Sequence, residues 1–236
     1  MEIKEIAILQ SNYIPWKGYF DMINMVDEFV LYDDAQYTKN DWRNRNIIKT
    51  FSGLHWLSIP TVTKGRIASE RKISETEVLS SQWCMKHWKT IKYNYSRASC
   101  FEVYEDRIFE IYKKCEEEKF LSRINYLFII EICEILGIST KISWSSEYVL
   151  DEGKTEKVVG ICKQAKAGRY LSGPAAKAYI NPQLFVDADI ELSYMDYSDY
   201  KEYPQIHGEF VHQVSILDML FNLGEQTTAY LKSFHD

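Results

Sequence analysis

The apolar positions of the first thirty residues change from strand-like to helix-like spacing and back. The run EIAILQ predicts a first strand, a helix beginning near Trp16 places Phe20 and Ile23 on one face, and DEFVLYDD predicts a second strand. A short strand–helix–strand unit of this kind favours a parallel pair of strands. Because ligands bind where such strands end, we expect the loops 12–16 and 33–37 to lie near each other.

The remaining pattern places a long helical block between further strands and helices. Two β-like runs around Ser52-Gly53 predict a hairpin, and the polar segment 62–74 predicts a loop. Three helices fit the block, at about 80–96, 101–117 and 120–136, with Gly137 as the C-cap. Strands are then predicted in TKISWSSE, RYL and IELSYMDY, and helices at 154–167, after the turn at 172–174, and in SILDMLFNLG and QTTAYLKSF.

Strands that alternate with helices indicate an α/β fold. We expect a mostly parallel, Rossmann-like sheet with a helical insertion at about 80–137. The chain has 236 residues, of which 46% are hydrophobic, so it can bury one sizeable core. We therefore predict a single α/β domain over residues 1–236, with the insertion as a helical subdomain.

Charge and cysteine usage limit the classes of partner and the cellular location that we expect for the protein. The net charge of −6 argues against bulk nucleic-acid binding and requires a local basic cluster for any bound anion. Five cysteines without a CxxC pair indicate reduced thiols and a cytoplasmic location. No segment resembles a signal peptide or a membrane span, so we expect no membrane insertion. The 17 tyrosines and 6 tryptophans suit recognition of carbohydrate, nucleoside or protein.

Two adjacent carboxylates, Asp33 and Asp34, follow the second predicted strand. A carboxylate there can act as a general base, bind a hydroxyl or amine, or hold Mg²⁺. Since neighbouring strand residues point to opposite faces, only one of the two aims into a given site unless the chain turns at once. The alternative is structural, with one aspartate capping a turn and the other solvated.

The segment DWRNRNIIK carries a second cluster. In extended backbone Arg43 and Arg45 share a face, with Asn44 and Asn46 on the other. Two guanidinium groups on one face can bind a phosphate or carboxylate bidentately. Lys49 adds a further charge, and Trp42 offers a plane on which a base or a sugar stacks. The alternative is an edge strand whose charges prevent aggregation.

Two further sets of residues are candidates. His87, on a partly apolar helix face, is either a general base or a hydrogen-bonded core residue. The other histidines lack a metal-ligand spacing, and we assign no metal site. In YLSGPAAKAY, Ser172, Gly173 and Lys177 are placed to receive an anion at a helix N-terminus, although such a junction is also common for structural reasons. It is not a Walker loop.

The ordered motifs LQSNYIPWKGYFD, DDAQYTKNDWRNRN, HWLSIP, YLSGPAAKAYI and SILDMLFNLG resemble those of the WbqC-like proteins, found largely in bacterial gene clusters for O-antigen and related polysaccharides. The chain departs from the family pattern at Ser11-Asn12, where Gln-Pro is typical, and at Val211-His212, where a proline is usual. The resemblance implies a role in making or decorating a surface glycan. Its motif-rich positions add substrate-binding candidates to those above: Gln10, Tyr13, Trp16 and Gln36.

Together these patterns favour a cytoplasmic transferase that attaches an acyl or aminoacyl group to the amine of a nucleotide-linked amino sugar. Arg43, Arg45 and Lys49 would hold phosphate, Trp42 or Tyr13 would stack on a ring, and His87 or an aspartate would take the proton. The partner is then a nucleotide-linked sugar, the donor is unidentified, and a homodimer is left open. The alternatives are a nucleotidyltransferase-like enzyme that uses ATP and Mg²⁺, and a non-catalytic protein that binds a glycan precursor or a partner.

Overall fold

The first strand–helix–strand unit folds as predicted. The computed structural model describes residues 3–62 and 71–235, so most of the predicted loop 62–74 lies outside the described residues. Strand β1 spans Glu5–Leu9, helix α1 spans Lys17–Asn24 and strand β2 spans Glu28–Leu31. The two strands pair in parallel, with Ile6 opposite Glu28. Their loops therefore leave from the same edge of the sheet.

A five-stranded parallel sheet forms the centre of the molecule. Beyond β1 and β2 it contains β5 (Lys141–Trp144), β6 (Arg169–Ser172) and β7 (Glu191–Tyr194), in the order β5-β2-β1-β6-β7. Each pairing is parallel. This confirms the predicted α/β class. The chain continues to the opposite side of β1 when it reaches β6, so the switch point of the topology lies between these two strands.

Both faces of the central strand are buried. Ile6 and Ile8 face one apolar cluster, and Ala7 faces a second, larger cluster. A parallel strand covered on both sides is expected to be apolar throughout, which is why EIAILQ lacks a polar alternation. Helices α5 (Lys154–Gln164) and α6 (Gln183–Val186) follow β5 and β6, and α7 (Ile216–Leu223) follows β7. The sequence pattern did not predict the short helix α6.

The helical block is close to its prediction. Helices α2 (Gln82–Tyr95), α3 (Phe101–Cys115) and α4 (Leu121–Leu136) replace the expected 80–96, 101–117 and 120–136. Gly137 ends α4 with a φ of 74°, a left-handed conformation that glycine adopts without steric cost. The buried faces of these helices belong to the same apolar cluster as α1 and one face of the sheet.

Two predicted elements take another form. The short helix predicted after the turn at 172–174 is a 3₁₀ helix, Pro174–Ala178. The segment QTTAYLKSF is predicted to be a helix, but residues Gly224–Tyr230 and Lys232–Phe234 form 3₁₀ turns. The Thr227 hydroxyl donates to the carbonyl oxygen of Gly224 and so competes with the regular helical pattern. In the described part of the chain, no helix is both long and apolar enough to span a bilayer.

A separate hairpin covers the sheet edge where the loops emerge. Strands β3 (Arg45–Thr50) and β4 (Gly53–Ser58) pair antiparallel across the predicted turn. The backbone N–H of Ser215 donates to the carbonyl of Ile47 at 2.9 Å, which attaches the segment before α7 to the hairpin. The hairpin therefore closes one side of a space above the carboxyl end of β1.

Candidate functional site

A cleft of about 690 Å³ lies at the carboxyl end of β1. Its walls come from four parts of the chain: the loop after β1, the hairpin region, the segment after β7, and residues just before α7. The lining side chains are Asn12, Pro15, Trp16, Trp42, Asn46, Tyr197, Asp199, Tyr200, His212 and Gln213. This is the place where ligands bind in open α/β sheets, beside the switch point of the topology.

The loop after β1 is held in a strained conformation. Ile14 has a φ of 36°, which is rare for a β-branched residue. The Asn46 side chain donates from Nδ2 to the carbonyl oxygens of Tyr13, at 3.0 Å, and Ile14, at 2.9 Å. The Tyr13 N–H in turn donates to the carbonyl of Trp42 at 2.9 Å. Strain of this kind persists only where the surroundings fix the backbone, and it concentrates at functional sites.

Aromatic rings form much of the inner wall. The indole of Trp16 lies edge to face with Tyr197, at 5.0 Å between centroids, and with Tyr200, at 5.9 Å. The Tyr200 hydroxyl donates to Oδ2 of the buried Asp21 at 2.5 Å. Gly18 allows the Trp16 ring to lie against the start of α1, because a Cβ there would come within 2.5 Å of the indole. The rings are thus fixed before a ligand arrives.

Lys17, in the first turn of α1, lies behind this wall and is only 2% exposed. Its Nζ lies 4.6 Å from the ring centroid of Tyr200, 5.6 Å from that of Tyr203 and 5.7 Å from that of Phe210. Burial lowers the pKa of Lys17 to about 8, although the nearby carboxylates Asp21 and Asp218 act to raise it. A lysine in this setting exchanges its proton close to neutral pH.

His212 connects the lysine to the cleft. Its Nδ1 lies 3.0 Å from Nζ of Lys17, and its ring is among the lining groups. Partial burial and the Lys17 charge lower the pKa of His212, so the imidazole is neutral at pH 7. At slightly alkaline pH the Lys17–His212 pair therefore loses the extra proton that Lys17 carries at lower pH. Because Nδ1 of His212 contacts Lys17, Nε2 is the ring nitrogen that remains for a ligand.

Two polar side chains complete the cleft. Asn12 has a buried Oδ1 without a hydrogen-bond partner among the described residues, which is unusual in a folded protein. Asp199 lies at the exposed rim with a φ of 55°, and it accepts from the Ser198 hydroxyl at 3.1 Å. An amine or hydroxyl of a ligand would satisfy Asn12, and Asp199 offers a negative charge at the entrance.

The two adjacent aspartates point in different directions, as strand geometry requires. Asp33 is buried and accepts from the Ser11 N–H at 2.8 Å and from the Ser122 hydroxyl. Burial raises the pKa of Asp33 despite these hydrogen bonds. Asp34 accepts from Lys72 at 2.6 Å and Ser145 at 2.8 Å. Burial acts to raise the pKa of Asp34 as well, but these two partners lower it overall.

Neither aspartate lines the cleft at β1. They lie on the β2–β5 side, where a second cleft of about 530 Å³ opens between α4 and the end of β5. The described residues contain no group of three or more His, Cys, Asp or Glu side chains arranged to hold a metal ion.

The expected pair of arginines does not share a face. Arg43 lies in a turn before β3 and pairs with Asp41 at 2.8 Å, whereas Arg45 begins β3 and stacks on Trp56. The turn forms because the N–H groups of Asn44 and Arg45 donate to the carbonyl of Asp41, which ends the alternation that extended backbone would give.

The neighbours of the arginines have separate roles. The Asn44 side chain donates to the carbonyl of Ile59 at 3.0 Å. Lys49 is buried and donates to Gln205 at 2.9 Å and to the carbonyl of Glu209. Trp42 is the member of this predicted cluster that lines the cleft.

The structure places His87 and Tyr13 in the core. The two side chains lie 2.9 Å apart, between Nδ1 and the hydroxyl oxygen, and the Tyr13 hydroxyl also lies 2.7 Å from that of Tyr112. Tyr13 is fully buried, so its ring has no face free for a substrate. Burial lowers the pKa of His87 to about 4. We therefore leave both residues out of the proposed site.

The remaining predicted residues are distributed around the same edge of the sheet. Ser172 is buried at the end of β6, and Gly173 borders open space, since a Cβ added there would meet no atom within 4 Å. Lys177 is exposed and lies 4.9 Å from the ring centroid of Tyr194. Gln10 accepts from the Tyr19 hydroxyl through its carbonyl at 3.1 Å, and Gln36 pairs through its backbone with Lys72.

Sequence reasoning missed Lys17 and His212, and it assigned no binding role to Asn12 or Asn46 individually. Lys17 stands in the motif IPWKGYF, where a lysine in the first turn of an amphipathic helix is typically solvated. His212 occupies a position where the chain departs from the family pattern, and that departure is the available signal. Asn46 follows Arg45 within β3, where neighbouring side chains point to opposite faces, and its buried side chain lines the cleft.

Comparison with known proteins identifies relatives over almost the whole chain. The WbqC-like protein family matches residues 10–230. An uncharacterized protein of Mycobacterium tuberculosis, Rv1507c, is 46% identical over 230 residues, which cover 98% of each chain. No solved structure gives a significant match.

Proposed function

The chain belongs to the WbqC-like protein family, and from that premise we propose that it is a sugar-modifying transferase of surface polysaccharide synthesis. The group transferred is acyl or aminoacyl, the acceptor is the amine of a nucleotide-linked amino sugar, and the reaction takes place in the cytoplasm. The observation that carries the proposal is the Lys17–His212 pair, which places a proton acceptor of suitable pKa behind an aromatic cleft.

The cleft suits a sugar in size and in chemistry. Its volume of about 690 Å³ lies within the usual range for small-molecule sites. Indole and phenol rings pack against the apolar C–H faces of a sugar, while their polar tips and Asn12 supply hydrogen bonds. Asp199 at the rim attracts an acceptor that arrives as an ammonium ion, which loses one proton to water and reacts as the neutral amine. These features support an amino sugar as the acceptor.

The pair of basic groups supplies the proton transfer. When Lys17 and His212 are both neutral, Nδ1–H of His212 donates to the Lys17 amine. Nε2 of His212 then carries a free lone pair. As the acceptor nitrogen bonds to the acyl carbon of the donor, the bond to the leaving group breaks and the leaving group keeps its electron pair. The acceptor's proton passes to Nε2, and the Nδ1 proton passes to Lys17.

Direct assay tests this proposal. The purified protein is incubated with nucleotide-linked amino sugars and a panel of acyl and aminoacyl donors, and products are detected by mass spectrometry. We expect a sugar-dependent product that Lys17→Met and His212→Gln reduce by about 100-fold, as for loss of a general base. Lys92→Met, which removes an exposed lysine paired with Glu105, serves as the matched control and should retain activity. Lack of any product across the panel would count against the proposal.

One observation favours a second candidate function, a nucleotidyltransferase-like enzyme that activates a substrate with ATP and Mg²⁺. The strand order sets β6 beside β1, so the Ser172-Gly173 turn leaves the sheet next to the loop after β1. The chain continues from this turn into a short 3₁₀ helix, Pro174–Ala178. Phosphates bind at strand–turn–helix junctions of α/β proteins. Substrate-dependent exchange of pyrophosphate into ATP would place this candidate above acyl transfer.

A non-catalytic binding role makes a different prediction from both enzymes. If Lys17→Met and His212→Gln leave glycan modification intact in cells while Trp42→Ala abolishes it, binding without chemistry is the better account.

A further inference from the structure

Two tryptophans extend the cleft onto the outer surface of the hairpin. Trp42 and Trp56 are 42% and 40% exposed, and their ring centroids lie 5.3 Å apart at an interplanar angle of 38°. Trp42 also lines the cleft, while Trp56 lies beside it on β4. Tryptophan side chains are highly buried on average, so two neighbouring indoles with this exposure form an accessible apolar patch. The pair forms a continuous aromatic surface that begins inside the cleft and ends outside it.

Arg45 adds a positive charge to this surface. Its guanidinium carbon lies 4.0 Å from the ring centroid of Trp56. Among residues 3–62 and 71–235 it has no ion-pair partner, and its buried Nε has no hydrogen-bond partner. Arg43, two residues earlier, is by contrast neutralised by Asp41. In a chain of net charge −6, a fixed guanidinium without an ion-pair partner in the described part of the chain is a local site for an anion.

The surface is held rigidly at its inner end. The Trp42 carbonyl accepts from the N–H of Tyr13, and Asn46, next to Arg45 in β3, holds the carbonyls of Tyr13 and Ile14. Stacking on Trp56 restricts the Arg45 side chain. A ligand therefore meets groups that are ordered in advance, which reduces the entropy cost of binding.

We infer that Trp42, Trp56 and Arg45 form a subsite for a nucleoside diphosphate, in which the base stacks on Trp42 and the diphosphate binds the Arg45 guanidinium. A flat apolar surface beside the Arg45 guanidinium fits a ligand that combines a planar ring with an anionic group. A free phosphate would make no stacking contact with the indoles, and a neutral sugar would form no ion pair with the guanidinium. The inference rests on the proposed function, since it locates the nucleotide end of the substrate whose sugar lies in the cleft.

Isothermal titration calorimetry of the full chain tests the subsite with three probes: uridine diphosphate, uridine and inorganic phosphate. Trp42→Leu should weaken binding of uridine diphosphate and of uridine by about 10-fold or more, as loss of base stacking does. Arg45→Met should weaken uridine diphosphate by a similar factor while uridine affinity stays within about twofold. Tyr93→Leu is the matched control, because Tyr93 is an exposed ring that packs on Phe51 elsewhere on the hairpin surface.

The outcomes separate the subsite from the proposed reaction. No measurable binding of uridine diphosphate to the wild-type chain at millimolar concentration overturns the inference. So do equal losses in Trp42→Leu and Tyr93→Leu, or an Arg45→Met variant that binds the diphosphate as well as the wild type does. Lys17→Met should keep the wild-type affinity for uridine diphosphate. Intact nucleotide binding without any transfer product defeats the proposed function alone. Transfer to a nucleotide-linked sugar with the same KM in the wild type, Trp42→Leu and Arg45→Met defeats the subsite alone.

Discussion

Lys17 is surrounded by aromatic rings where a lysine would ordinarily find water or a carboxylate. Three ring faces lie within 6 Å of its Nζ, and they compensate in part for the lost hydration of the ammonium group. The compensation is incomplete, since burial still lowers the pKa of Lys17 from 10.5 to about 8. Its proton is thus held less firmly than that of a surface lysine, and His212 offers it a path to the cleft.

The rate should therefore depend on pH in a defined direction. The basic form of the pair is the one without the shared proton, so kcat/KM is expected to rise with pH and to level off above an apparent pKa near 8. Lys17→Arg keeps the positive charge at every pH used and should abolish this rise. The comparison uses one acceptor for both proteins, so that titration of the acceptor amine is common to the two profiles. Parallel profiles would exclude Lys17 as the titrating group.

For His87 we predict an effect on stability and none on the chemistry of the cleft. His87→Gln removes a buried partner of Tyr13 and should lower the free energy of unfolding by about 1–3 kcal/mol. The folded pKa of about 4 lies below the ordinary value of 6.5, so the unfolded chain binds the extra proton first as the pH falls. The wild type should therefore lose stability between pH 6.5 and 4 more steeply than the variant does. Urea denaturation at several pH values measures this.

At the scale of elements, the start of α1 positions the cleft wall. Gly18→Ala should displace the Trp16 ring, since the new Cβ would lie 2.5 Å from the indole. We expect KM for the sugar to rise several-fold and the free energy of unfolding to fall by about 1–3 kcal/mol, although alanine is the better helix former. Gly173→Ala, which meets open space, should change stability by less than about 0.5 kcal/mol. A Gly18→Ala protein with unchanged KM would show that Trp16 is not held by this contact.

The elements themselves could be predicted because their signals are local. The period of the apolar residues in α2, α3 and α4, and a glycine at the end of α4, were sufficient to place the helical block. The prediction that Arg43 and Arg45 share a face was wrong because the chain turns just before β3, where backbone N–H groups donate to the carbonyl of Asp41. An alternation in sequence predicts a shared face only where the backbone is extended.

The Lys17–His212 pair could not be found in this way because its surroundings come from distant parts of the sequence. Lys17 has the sequence context of a surface lysine until Tyr203 and Phe210 close over it, and these residues come about 190 positions later in the chain. Its neighbour His212 comes from the same distant segment. Trp42 could be anticipated, since a tryptophan within a polar segment is conspicuous in any context.

At the scale of the whole molecule, one apolar cluster joins the sheet to the helical block. It contains Phe29 and Leu31 of β2 together with buried residues of α2, α3 and α4. We therefore predict one cooperative transition in urea, with coincident curves for far-ultraviolet circular dichroism and tryptophan fluorescence. The same measurement tests the expectation of a single domain with a helical subdomain. Two separated transitions would show instead that the block at 80–137 unfolds on its own.

The strand order has a consequence for how the chain is made. One edge of β1 can pair with β2 soon after both leave the ribosome. The other edge of β1 stays unpaired until β6, which begins at residue 169, has been synthesised. Until then the nascent chain presents an apolar strand with an open edge, the kind of surface that pairs with other chains. Assembly of the central sheet, and of the cleft above it, is thus one of the last events of synthesis. Nascent chains stalled before residue 169 should bind chaperones more strongly than chains stalled after β7.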